Sequence, residues 1–318
     1  MNTKQKILIL VKTYPEISRK YIETVCTAGI LAGSKKLIRL YPIRYRYLEG
    51  EFQFKKYQWI RAKITKAISD SRPESYNLVE GTIEIENIIG TDDGWHEREE
   101  WVINHNTLFN SVEDLLISQK QSRTSLGIVK PKEILEFSIE PKSEAEMKEA
   151  EMKEAEIKKK SMISQMGLFE HPKDLELLPF RPVLKFKCDN PECNSHSMSI
   201  LDWEFGQLYR KIKGSNDWKQ KFTDKVMSIC GSDKETYLIL GNILNSLLTC
   251  SIMLFVGRHI HSSWENCKYV KHEFNEFSRH FTAEGRSFSF IALNDSKNSI
   301  ALDLEEAQLC HPLIRKRP

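Results

Sequence analysis

Apolar and polar positions alternate through much of the first third of the chain. Residues 7–11 form an unbroken apolar run, which reads as a buried strand. Over 37–48, Ile43, Tyr45 and Tyr47 point one way and Arg44 and Arg46 the other. Over 57–64, Trp59, Arg61 and Lys63 stand opposite Ile60, Ala62 and Ile64. Over 78–89, Val79, Gly81, Ile83 and Ile85 alternate with acidic residues and Thr82. Short strands broken by turn residues predict a small barrel within 1–140. Helices are predicted over 18–28, within 97–110 and over 112–119, where Ser111 and Asp114 stand at capping-box-like spacing.

The pattern then changes. Residues 144–158 read EAEMK, EAEMK, EAEIK. Five residues carry a helix about 140° past a full turn, so no face stays apolar. A solvated helix held by Glu–Lys pairs is expected, as a spacer and not a coiled coil. This divides the chain into 1–140, a spacer over 141–174, and 175–318. In the last part, strands are predicted at 183–187, 237–240, 252–256 and 288–293. Helices are predicted at 203–213, 218–230 (ended by Gly231) and, short and buried, near 242–250. The span 236–257 carries no charge, but Asn242, Asn245, Ser246, Thr249 and Ser251 interrupt it, so it reads as core and not as a membrane crossing.

Composition narrows the class. The 318 residues suit one large domain or two. Fifteen Phe, ten Tyr and six Trp exclude a largely disordered chain. An odd count of seven cysteines, behind an N-terminal apolar run too short for a secretory signal, argues against a disulfide framework and for a cytoplasmic location. Net charge is only +3, yet residues 1–70 carry 15 Lys and Arg against 5 Asp and Glu, and residues 71–157 carry 9 against 20. A basic first segment suits a polyanionic partner.

Several constellations could carry chemistry. Cys188, Cys193 and His196, spaced C-x4-C-x2-H, place two thiolates and an imidazole where a turn can wrap a tetrahedral Zn²⁺ in a structural role. The fourth ligand is not local; His171 or a distant Cys could supply it. Asp202 and Glu204 are candidates for a catalytic Mg²⁺ pair, although Asp202 also suits a helix cap at Trp203. Basic and aromatic residues crowd 39–63, of which Arg44, Arg46, Trp59, Arg61 and Lys63 are the candidate nucleic-acid ligands, cations for phosphates and the indole for stacking. Gln165, Leu168 and Phe169 form a Q-x-x-L-F segment suited to groove binding. His259 and His261 flank Ile260 and are candidates for a metal or catalytic role. No P-loop, G-x-G-x-x-G or Ser-His-Asp order is present.

Three stretches resemble known families. Tyr21, Glu23, Thr24, Cys26, Ala28, Gly29 and Ile30, followed by Ile38-Arg39-Leu40-Tyr41-Pro42-Ile43, resemble the opening of dual OB-like domains, with Leu37 where that pattern has Trp. The segment 188–210, with its D-W-E at 202–204, resembles an uncharacterised family of bacterial proteins carried on mobile and defence-associated islands. Gln165, Leu168 and Phe169 resemble the peptide by which bacterial proteins dock on the replication sliding clamp.

The resulting expectation is an α+β protein: an N-terminal OB-like or related β-barrel domain plus a C-terminal mixed α/β domain with a zinc site. It would bind DNA or RNA, with no membrane contact, as an accessory of a mobile-element or defence system. The rivals are a metal-dependent nuclease using Asp202, Glu204, His259 and His261, and an interaction scaffold without nucleic-acid contact.

Overall fold

The structure, a computed structural model, describes residues 3–18, 20–92, 95–163, 174–231, 234–242 and 250–259. Contacts gather Met1–Ile88 and Trp101–Arg258 into one unit. Of the other unit residues 89–92, 95–100 and 259 are described, and there Arg98 donates to the Ile89 carbonyl and lies over the Trp95 ring.

The N-terminal strands are β1 (Gln5–Lys12), β2 (Glu16–Ser18), β3 (Ile22–Leu31), β4 (Leu37–Ile43), β5 (Gln58–Ala62), β6 (Ile64–Lys66), β7 (Ser75–Leu78) and β8 (Glu84–Ile88). They make one curled sheet in the order β6-β7-β4-β3-β1-β5-β8, with β2 on β3. Its path bends back on itself, because β6 is the continuation of β5 past Lys63. One half of that long strand pairs with β1 (Ile7 opposite Ile60) and the other half with β7 (Ile64 opposite Leu78). Treated as five strands, β1, β3, β4, β5–β6 and β7, the ring runs 1-2-3-5-4, and strands three and five are parallel, Arg39 opposite Ser75. That is the order of an OB barrel. Ile7, Ile9, Val25, Ile38, Leu40 and Ile60 fill its interior.

Two sequence expectations change here. Residues 22–28 are strand, not helix: Ile22, Thr24, Val25 and Thr27 are β-branched, and β3 pairs on both sides, with β1 and β4. The strand expected over 37–48 stops at Ile43, just after Pro42, which has no N–H for a ladder. A single 3-10 turn over Tyr45–Tyr47 follows and buries both tyrosines, so alternation no longer sorts the arginines beside them.

The rest comprises α1 (His96–Val102), β9 (Leu108–Phe109), α2 (Val112–Ser122), β10 (Leu126–Val129), β11 (Glu133–Pro141), α3 (Glu144–Ile163), β12 (Phe180–Lys187), β13 (His196–Ser199), α4 (Trp203–Ile212), α5 (Trp218–Cys230), β14 (Lys234–Asn242) and β15 (Cys250–His259). One sheet runs β15-β14-β10-β9 and another β11-β12-β13. Ser111 caps α2, its Oγ accepting from the Asp114 N–H at 3.1 Å. The pentad repeat is helical in α3, an excursion between paired β11 and β12 (Pro141 opposite Phe180), with Glu149–Lys153 and Glu154–Lys158 as ion pairs and Ile157 buried. Phe180, Tyr209, Trp218 and Phe222 cluster edge to face between α4, α5 and β12.

The fold is thus mixed α+β, a barrel-like sheet followed by an α/β region. The two meet where Tyr14 donates its N–H to the Leu201 carbonyl (2.7 Å) and Thr13 bridges to Asp202. No helix among the described residues is long and apolar enough to cross a membrane. The strand at 288–293, His171 and residues 243–249 of the helix expected near 242–250 lie outside the described residues, and the ends of that span, Asn242 and Cys250, are strand.

Candidate functional site

The β3–β4 face of the barrel carries a cavity of about 380 Å³. Its walls are the β1–β3 connection (Lys20, Tyr21), the outward side chains of β3 and β4 (Thr24, Cys26, Arg39, Tyr41), the β6–β7 connection (Asp70, Arg72) and Asn242 at the end of β14. Arg39 and Tyr41 reach it because β4 turns Ile38 and Leu40 inward. Lys20 lies over the Tyr21 ring at 4.9 Å, and Tyr41 is exposed, with Thr24 Oγ1 donating to its hydroxyl at 3.3 Å.

The charges of the cavity are unevenly answered. Arg72 forks onto Asp70: Nε lies 2.8 and 3.0 Å from the two carboxylate oxygens and Nη2 2.5 Å from the second. Burial would raise the Asp70 pKa, but hydrogen bonds from Arg72 hold it down at about 2. Arg39 is 5% exposed and donates to Asn242 O (3.2 Å) and Ser125 Oγ (3.1 Å), with a long contact to Cys26 Sγ (3.9 Å); its Nε is buried without a partner among the described residues. Among the described residues a carboxylate reaches Arg39 through Ser125, whose hydroxyl donates to Glu74 Oε1 at 2.6 Å. Burial pushes the Cys26 thiol above its ordinary pKa, against the pull of both arginines. Among the described residues no carboxylate touches this buried guanidinium, which leaves its charge open to an anionic ligand at the cavity wall.

A second cluster lies at the tip of the β12–β13 hairpin. Cys188, Cys193 and His196 bring their donor atoms within 4.8 Å of one another, as the spacing predicts, and could hold a metal ion. Cys193 Sγ is 3.3 Å from His196 Nε2. Each sulfur accepts a backbone N–H, Cys188 from Val112 (3.4 Å) and Cys193 from Cys188 (3.3 Å). Such bonds suit thiolates more than thiols. Burial pushes the Cys188 thiol up to about 12, so a cation must displace its proton to bind. The chain turns through Ser195 at φ 123° to bring His196 back.

The other sequence candidates are scattered. Arg44 pairs with Glu80 (3.6 Å), Arg46 with Glu23 (3.2 Å) and Arg61 with Glu86. Trp59 is 4% exposed, edge-on to Trp101 at 4.8 Å, and the Lys63 N–H donates to Thr82 Oγ1 (2.9 Å). Asp202 caps α4, accepting from the Glu204 N–H (2.8 Å), and pairs with Lys56 (2.7 Å); Glu204 is exposed. His259 ends β15, and His261, Gln165, Leu168 and Phe169 lie outside the described residues. Sequence reasoning missed Lys20, Tyr21, Arg72 and Asn242, and used Arg39 and Tyr41 only as part of a crowd. The signal that could have found them is the strand order, which the pairing of 58–66 with two partners reveals.

A family model described as Domain of unknown function (DUF8758) matches residues 3–104. A second, Domain of unknown function (DUF8757), matches residues 108–270, just over half of the chain. The chain belongs to the DUF8757 family. The Cys188, Cys193 and His196 cluster lies inside the DUF8757 region, and the cavity is lined by residues of that region and of the barrel strands that DUF8758 covers. No curated protein matches in sequence. Among solved structures, a murine DNA-binding protein bound to double-stranded DNA is similar at a TM-score of 0.27 and 8% identity, over 82% of this chain and 97% of that one. A likeness of that size says nothing of how the DUF8757 chain works.

Proposed function

We propose that this protein binds single-stranded DNA or RNA across the β3–β4 face of its barrel. The observation that carries the reading is the cavity between the β1–β3 and β6–β7 connections, lined by Lys20, Arg39, Arg72, Tyr21 and Tyr41. In an OB barrel those strands and loops are where oligonucleotides lie. The residues suit such a ligand, with buried and exposed cations for phosphates and Tyr41 exposed for stacking. The Cys188, Cys193 and His196 cluster holds zinc in a structural role, bracing the hairpin and not reacting. The role as a cytoplasmic accessory of a mobile-element or defence system rests on the resemblance of residues 188–210, and docking on a sliding clamp on Gln165, Leu168 and Phe169. Pull-down with and without those three side chains tests the latter.

The test is fluorescence anisotropy with short labelled DNA and RNA strands over a salt series. Binding should weaken with log salt at about −0.7 per phosphate contact. Lys20→Ala with Tyr41→Ala probes the cavity; Arg61→Ala with Lys63→Ala probes the face that alternation alone suggests. Loss in the first pair alone assigns the cavity, and loss in the second alone moves the interface to the Arg61 face. No salt-sensitive binding at low ionic strength removes the nucleic-acid reading altogether.

A further inference from the structure

Resting on the reading of Cys188, Cys193 and His196 as a metal site, we infer that Glu113 is its fourth ligand. Glu113 stands in the first turn of α2, 75 positions before Cys188 in the chain. The fold carries it to the hairpin tip. Ser111 caps the helix and the Val112 N–H rests on Cys188 Sγ, which fixes the turn that bears Glu113 against the cluster. Its Oε1 is 3.2 Å from His196 Nε2, the same nitrogen that lies 3.3 Å from Cys193 Sγ. Ligand atoms around a tetrahedral Zn²⁺ stand roughly 3.3–3.8 Å apart, given bonds of about 2.0–2.3 Å. The two contacts at His196 Nε2 are as short as those between neighbouring ligands of one ion, and Glu113 adds a carboxylate beside the three donors that already lie within 4.8 Å of one another.

A second observation is independent of the distances. Glu113 Oε2 is buried with no hydrogen-bond partner among the described residues. A carboxylate oxygen in that position costs free energy unless a cation answers it. The other carboxylates near the hairpin face away: Asp189 is exposed and pairs with Lys132 at 3.3 Å, and Glu192 is exposed.

The donor set is therefore Cys₂-His-Glu, contributed by the hairpin and by α2. Four protein ligands leave no open position for water or substrate, which makes the site structural. Its effect is to pin the start of α2 to the β12–β13 tip, and through α2 to brace β10, the neighbour of β14.

The test uses the full chain, loaded with Zn²⁺ and separately with Co²⁺. Wild type should take up about one equivalent of either, with the Co²⁺ absorption of a tetrahedral site. Glu113→Ala should weaken Zn²⁺ binding, measured against a chromophoric chelator, by at least about 10-fold. Glu113→Cys should restore tight binding and raise the thiolate-to-Co²⁺ charge-transfer band by about half, three thiolates replacing two. If circular dichroism shows the Ala variant unfolded, the near-isosteric Glu113→Gln carries the same comparison. Unchanged affinity and an unchanged Co²⁺ spectrum in the Ala or Gln variant overturn the assignment of Glu113 while leaving the three-residue site. A wild-type protein that takes up neither metal overturns the underlying reading instead.

Discussion

Arg39 and Arg72 donate to one acceptor, the backbone carbonyl oxygen of Asn242, at 3.2 and 2.9 Å. Arg39 comes from the third strand of the barrel ring and Arg72 from the loop before the fifth. Asn242 ends a strand of the other sheet. One carbonyl thus registers two cations from the barrel against the α/β region, and it does so at the edge of the cavity. Asp70 answers the charge of Arg72. That of Arg39 is answered, among the described residues, at second hand through Ser125 and Glu74.

The two arginines should therefore respond differently to neutralisation. Arg39→Gln removes a cation whose partners are neutral, and should cost about 1–3 kcal/mol of stability for the acceptors left behind. It should also lower affinity for single strands and flatten the salt slope by about 0.7. Arg72→Gln leaves the Asp70 carboxylate unpaired and should cost about 3 kcal/mol or more. Urea unfolding of the two variants ranks them, and equal or reversed losses would show that Arg39 carries the structural charge. Because the Asp70 pKa is held at about 2, its contribution is present above about pH 4 and is lost as pH falls towards 2. In Arg72→Gln that acid dependence should shrink.

Tyr41 offers a cleaner probe, since its ring is exposed and its removal disturbs one hydrogen bond, from Thr24. Tyr41→Ala should weaken binding of single strands by about 1–3 kcal/mol with little change in salt slope. Tyr41→Phe should retain most of the affinity. A steeper salt slope in the Ala variant would contradict stacking as the role of the ring.

How much of this could be read from residues alone differs from feature to feature. The metal cluster was legible because Cys188, Cys193 and His196 are local and their spacing alone constrains them. Glu113 was not, because an acidic residue in a first helical turn already has an ordinary reason to be there, the helix dipole. The helix α5 came out over its full length from its apolar period and Gly231. Residues 22–28 are strand although their period suits a helix, because β-branched residues favour the extended backbone and both edges of β3 find partners. Trp59 and Arg61 share a strand face by alternation, yet Trp59 is covered by Trp101 from beyond the barrel, a long-range contact no local pattern reports. The cavity needed the pairing of 58–66 with both β1 and β7, a property of the whole sheet.

Gly206 and Tyr14 test the seam between barrel and α/β region. A Cβ at Gly206 would overlap the Tyr14 ring, which is itself held by its hydroxyl on the Glu176 carbonyl at 2.7 Å. Gly206→Ala should destabilise by about 1–3 kcal/mol, although alanine favours a helix more than glycine does. The penalty should largely vanish in a Tyr14→Ala background. Additive effects in the double variant would mean that α4 shifts to make room and that the ring is not what holds glycine there.

Lys12 gives a prediction in pH. It is buried, with its ammonium over the Tyr45 ring at 4.5 Å and the Phe54 ring at 5.6 Å, and it donates to the Phe54 carbonyl at 3.2 Å. Burial, helped by Lys56 and opposed by Glu204 and Asp202, lowers its pKa to about 8. A lysine with a lowered native pKa binds fewer protons folded than unfolded between about pH 8 and 10.5. Its penalty is therefore full at neutral pH and fades as pH rises through that window, by about 3 kcal/mol at most. Other groups run the opposite way: burial raises Tyr45 to about 12 and Cys230 to about 11, so each loses stability as pH climbs above its unfolded pKa. The difference between two proteins isolates the lysine. Lys12→Met keeps the volume and removes the titration, so its stability relative to wild type should be nearly level around pH 7 and fall from about pH 8 towards pH 10.5. Unfolding curves for the two proteins that stay parallel across that range would show that Lys12 keeps an ordinary pKa beside those rings, and that the two π faces and the carbonyl compensate its burial in full.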